Sequence, residues 1–149
     1  MGYWSDEDLY LGAMEAADIA FCPDGSGWTY WSRDGGGFSV LRFRWHTTDD
    51  RQLALELHEQ MSGNRELESG NRELEGRRTR HHVTSKAACD TNIVVAYEIR
   101  AGQDLFGTPA TLLEADRPIS RGTIGNRFAL KRDLADGEQN PADRTMTGQ

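Results

Sequence analysis

Apolar positions near the start of the chain recur at helical spacing. Tyr10, Met14, Ala17 and Phe21 form one stripe, with Leu9, Ala13, Ala16 and Ala20 beside it. Ser5 followed by Asp6, Glu7 and Asp8 supplies a capping hydroxyl and then carboxylates for the positive end of a helix. The pattern predicts a helix from about Asp6 to Ala20, ending before Pro23.

Periodicity changes at Trp28. Two aromatic and β-branched runs flank Arg33-Asp34-Gly35-Gly36-Gly37, which predicts a β-hairpin over 28–45. In its second strand Leu41, Phe43 and Trp45 share one face, and Arg42 and Arg44 share the other. Thr47-Thr48-Asp49-Asp50 resembles a capping cluster, and Leu53, Leu57 and Met61 follow at intervals of four residues. Together they predict a second helix over about Asp50–Gln60, with Leu55 off its stripe.

Ile93–Ile99 is the most apolar run and reads as a central strand. Ala110–Ala115 reads as a shorter strand, and Arg127–Lys131 as an edge strand. Two helices interspersed with antiparallel strands indicate an α+β class: a twisted antiparallel sheet with both helices packed on one face. Strict βαβ alternation is absent, which disfavours a doubly wound sheet.

Between the second helix and the apolar strand, SGNRELE at 62–68 is repeated letter for letter at 69–75. Each copy holds one apolar residue where a coiled-coil seam needs two, and its glycine would cost a helix about 1 kcal/mol. An exact duplication persists where backbone length is unconstrained, so 62–86 reads as an exposed loop. Residues 1–132 then form a single domain, and the polar stretch 133–149 a flexible tail.

Composition narrows the class. The apolar fraction of 37% is low, yet four Trp, four Tyr and five Phe argue for an ordinary core diluted by charged loops. No apolar run approaches the roughly 20 residues of a membrane span, and the acidic start lacks a secretory basic region. The expectation is a cytoplasmic protein with no membrane contact, whose Cys22 and Cys89 are reduced thiols.

Of the net charge of −7, residues 1–32 contribute −6, because they hold six Asp and Glu and neither Lys nor Arg. Such a field repels nucleic acid and attracts basic surfaces. Arg77, Arg78, Arg80, His81 and His82 form the basic cluster, beside four glutamates and without interleaved aromatics.

Three readings of function follow. The leading one is a small acidic interaction or inhibitor protein that binds a basic surface of a protein partner. Its contact residues would be Asp6, Glu7, Glu15 and Asp18 with Trp28, Trp31, Arg42 and Arg44, and a homodimer is compatible with it. The second is enzymatic. His46-Thr47-Thr48 and His82-Val83-Thr84 resemble the paired His-x-Thr triplets of the 2H phosphoesterases, which implies acid–base roles for His46 and His82 and phosphate contacts for Thr48 and Thr84. Asp49 and Ser85 follow the triplets where that family carries apolar residues. The third is a small-molecule binding module with an apolar pocket lined by Trp31, Trp45 or Tyr97. No cofactor motif and no metal-ligand spacing is present; His58-Glu59 lacks the second histidine a zinc helix needs.

Overall fold

The computed structural model describes residues 2–6, 9, 15–67, 79–119, 126–132 and 146–147. Strand alternation dominates them. The strands are β1 (Gly2–Ser5), β2 (Glu15–Phe21), β3 (Ser26–Arg33), β4 (Gly37–Thr47), β5 (Gln52–Leu67), β6 (Thr79–Gln103), β7 (Pro109–Ala115), β8 (Arg127–Arg132) and β9 (Met146–Thr147). Each of β1 to β7 pairs antiparallel with the next, and β8 returns to β1. Eight strands therefore close into an up-and-down barrel with no open edge around the ring. The ninth strand lies parallel to β6 beside His81 and His82.

The expected α+β class is thus corrected: among the described residues there is no helix. The second predicted helix is the first half of β5. Leu53, Leu55 and Leu57 alternate, and all three are buried in the barrel interior. An irregularity between Leu57 and Glu59 then shifts the side-chain parity, which sends Met61 to the opposite face. The four-residue spacing of Leu53, Leu57 and Met61 is this parity shift, and Leu55 is the residue that marks the strand.

The end of the first predicted helix, Glu15–Ala20, is strand β2, whose Ala17, Ile19 and Phe21 face the interior. In so alanine-rich a segment the two periods are both satisfied, and pairing with β1 and β3 decides. Residues 7, 8 and 10–14 of that prediction lie outside the described residues.

Other expectations hold. The hairpin of β3 and β4 turns at 34–36, with Gly36 at φ 98°, a left-handed conformation that favours glycine. The apolar run at 93–99 lies in β6, and 110–115 in β7. Arg127–Lys131 is strand, but it pairs on both sides instead of forming an edge. The loop expected over 62–86 is corrected to strand at 62–67 and 79–86; its middle, with the whole second repeat, lies outside the described residues. So does the expected tail, apart from β9.

The barrel interior is one cluster. Trp4, Ile19 and Leu41 occupy linked register positions and pack with Trp31, Phe43, Leu113 and Phe128. A second cluster covers the outer face of the same strands: Ala20, Cys22, Trp28, Tyr30, Phe38, Val40 and Met61. Bulges at Leu57/Glu59 and Ser62/Gly63 bend the β5–β6 ribbon, carrying the buried His81 onto Tyr30 and Phe38. Gly63 is required at that bend, since a Cβ there would meet the His82 carbonyl oxygen at 1.9 Å. A third, small cluster joins Leu9, Leu112 and Ala129 outside β7 and β8.

Candidate functional site: an apolar cavity at one end of the barrel

Up-and-down connectivity places the turns at 22–25, 48–51 and 104–108 at the same end of the barrel. At that end the interior is not filled. A cavity of about 340 Å³ is lined by Trp4, Phe21, Trp45, Thr47, Leu53, Tyr97, Ile99 and Leu113. Every one of these comes from a strand whose alternation turns it inward. The volume sits at the lower end of the range for small-molecule sites, and eight strands enclose room for side chains or one small ligand.

Two contacts fix the aromatic wall. The Trp45 indole N–H donates to the Cys22 carbonyl at 3.0 Å, and its ring meets Phe21 edge-on with centroids 5.3 Å apart. The Trp45 amide also donates to the Gly25 carbonyl, tying the 22–25 turn to the rim. No lining side chain carries a charge; its polar groups are the Thr47 and Tyr97 hydroxyls, the Trp45 indole N–H already held by Cys22, and the Trp4 indole N–H, buried without a hydrogen-bond partner. Ile99 lines the cavity while 52% exposed, which marks the opening.

The residues named from the sequence fall elsewhere, Trp45 and Tyr97 excepted. His46 and His82 do not converge. His46 pairs with Ala54 and His82 with Asn64, so ten residues of β5, roughly 33 Å along the strand, separate them. Thr48 accepts the Gln52 amide within the β4–β5 turn, Thr84 donates to the Ser62 carbonyl, and His82 sits 3.1 Å from Glu66. A shared phosphodiester site is excluded by that register.

The carboxylates expected to form one acidic surface are dispersed. Asp6 is buried, its Oδ1 accepting the Ala17 amide at 2.7 Å and its Oδ2 lacking a hydrogen-bond partner. Burial pushes its carboxyl up to about 6, against the Ala17 hydrogen bond and with the help of Asp18. Asp18 and Glu15 are half-buried on β2, and Asp18 accepts the Tyr3 hydroxyl. Glu7 lies outside the described residues. Asp24 is exposed, and its carboxyl is held below the usual range by the Ser26 hydroxyl and amide and by Arg44.

Trp28 and Trp31 are both buried, on opposite faces of β3, so neither is a surface anchor. Trp31 belongs to the interior cluster but does not line the cavity. Arg42 pairs with Glu59 at 2.9 Å on the outer face, and Arg44 is exposed on the same face of β4. In the basic cluster His81 is buried, Arg80 is exposed, and Arg77 and Arg78 lie outside the described residues.

No group of three or more His, Cys, Asp or Glu suited to a metal ion occurs among the described residues, and both cysteines are free thiols. Nor is any described helix long and apolar enough to cross a membrane. Trp4, Phe21, Thr47, Leu53, Ile99 and Leu113 were not singled out by sequence reasoning. For Phe21 and Leu53 the signal was alternation in β2 and β5, hidden under a competing helical period; the other four lie in β1, β4, β6 and β7, and nothing local marks them as neighbours. Comparison with models of protein families, with curated proteins and with solved structures finds no match to this chain.

Proposed function

We propose that this protein is a binding module for a small, uncharged, apolar molecule carrying a ring, held in the open end of the barrel. The observation that carries the reading is the cavity wall. Four aromatic and three aliphatic side chains enclose about 340 Å³ without a charged group. An ionised ligand would lose its hydration there with nothing to replace it. A flat ring, in contrast, gains edge-to-face and offset contacts with Trp4, Trp45 and Tyr97. The two hydroxyls orient the ligand, and with no general base on the wall, binding is the function the arrangement supports.

The test is a titration of intrinsic tryptophan fluorescence with a panel of neutral aromatic compounds and their carboxylate and ammonium analogues. Neutral members should quench or shift the emission of Trp4 and Trp45, and their charged analogues should bind at least tenfold more weakly. At a hundredfold excess over Kd a neutral ligand should also stabilise the fold by about 2.7 kcal/mol. Ile99→Trp, at an exposed rim position that tolerates the larger ring, should obstruct the opening and weaken binding about tenfold. A panel that leaves both fluorescence and melting temperature unchanged would rule the proposal out.

A further inference from the structure

The hairpin of β6 and β7 stands beyond the barrel at the cavity end. β6 loses β5 as a partner after Ala96, and β7 pairs with β8 only at 112–114. Residues 101–111 are therefore a two-stranded arm held by its own ladder, Ala101 to Thr111 through Gln103 to Pro109. Its tip is well fixed. Asp104 Oδ1 accepts the amides of Phe106 at 2.8 Å and Thr108 at 3.0 Å, and the Asp104 amide donates to the Thr108 carbonyl at 2.9 Å. This ordered turn holds Phe106 75% exposed and Leu105 42% exposed. With Val94, on the outer face of β6, and Ile99 at the cavity mouth, they are the large apolar side chains left exposed among the described residues.

We propose that the Leu105–Phe106 tip docks on a lipid surface, so that the arm lies between an apolar phase and the cavity; this rests on the cavity being a site for apolar ligands. Three features select that occupant. A stable protein interface buries about 800 Å² on each partner, and two side chains supply at most about 400 Å². Shallow insertion into a bilayer needs no complementary shape, and a projecting arm can reach past the barrel rim to make it. The arm also links the two regions: Leu113 and Ile99 line the cavity at its base, and Ala101, Gln103, Pro109 and Thr111 lie between them and Leu105 and Phe106 at its tip. No described helix is long and apolar enough to cross a membrane, and none is needed for this contact. With a net charge of −7 the protein should prefer neutral bilayers to anionic ones.

Co-sedimentation with phosphatidylcholine vesicles tests it, using the full chain and a Leu105→Asp/Phe106→Asp variant. Both substitutions are at exposed turn positions, so circular dichroism and melting should be unchanged. Wild type should partition into the pellet at least tenfold more than the double variant, and less onto phosphatidylglycerol vesicles at low salt. The double variant should keep its affinity for neutral aromatic ligands in solution, whereas Ile99→Trp should lose that affinity and still sediment. A wild type that stays in the supernatant, or a variant that sediments equally, overturns the docking proposal while ligand binding in solution stands apart. Dimerisation of the wild type that the double variant abolishes, without vesicle binding, would make the tip a self-association surface and also overturn it.

Discussion

Strand β3 separates two apolar clusters that differ in how they are finished. On its outer face Tyr30, Phe38, Met61 and His81 are all buried, and a 2.5 Å hydrogen bond joins the Tyr30 hydroxyl and His81 Nε2. Burial raises the Tyr30 hydroxyl to about 12 and lowers the His81 imidazole to about 4, so the bond joins two neutral groups. Inside the barrel the same hairpin contributes Trp45 to the wall of a cavity. Trp45 is held there by the Cys22 and Gly25 carbonyls, and a fixed aromatic wall is what distinguishes a receptacle from poor packing.

The contrast can be broken by mutation. Phe38→Ala, at a 1%-exposed position against Tyr30 and His81, should cost about 3–5 kcal/mol in denaturant unfolding. Ile99→Ala, half exposed and bordering empty space, should cost less than about 1 kcal/mol. Equal losses would mean that the cavity end is packed as tightly as the outer face.

The pH dependence of stability separates two buried ionisable groups. Asp6 titrates at about 6 when folded against an ordinary 3.8, so between those values the native state holds a proton that the unfolded chain has released. Its contribution is complete below about pH 4 and is lost as pH rises through 6. His81 has the opposite sign: its folded value of about 4 lies below 6.5, and its contribution is lost as pH falls through that window. Each shift corresponds to about 3 kcal/mol. The two slopes should nearly cancel in the wild type. Asp6→Asn should expose stability that rises with pH from 4 to 6, and His81→Gln stability that falls. Identical profiles for both variants would contradict the assigned environments.

Tyr30→Phe should cost about 1–3 kcal/mol, because it removes the hydroxyl bonded to His81 Nε2 from a buried site. A neutral result would show that the outer face is held by packing alone. The smallest effect is chemical rather than energetic. Cys89, half-buried on β6, should react with a thiol reagent in the native state, whereas Cys22 in the outer cluster should react only on unfolding. Equal reaction rates would mean that the outer cluster opens readily.

Legibility in the sequence tracked how local each signal was. The β3–β4 hairpin, with Leu41, Phe43 and Trp45 on one face, was readable because its turn residues and its alternation lie within twenty positions. The first half of β6, from Arg80 to Asn92, was not, since it is largely exposed and held by backbone pairing to β5. Of the cavity wall, Trp45 and Tyr97 were named in advance, on the chemistry of aromatic pockets. The rest come from strands at distant points in the chain.

By itself the sequence determined the apolar inventory, the hairpin and the strands at 93–99 and 110–115, because side-chain alternation and turn chemistry are properties of neighbouring residues. Closure of β8 onto β1, the parity shift after Leu57, and the gathering of Trp4, Phe21, Tyr97 and Leu113 around one space were decided by tertiary structure. Segments such as 15–21 and 52–61 satisfy two periods at once. Only the backbone hydrogen bonds of a closed ring, each strand satisfied on both sides, selected strand over helix there.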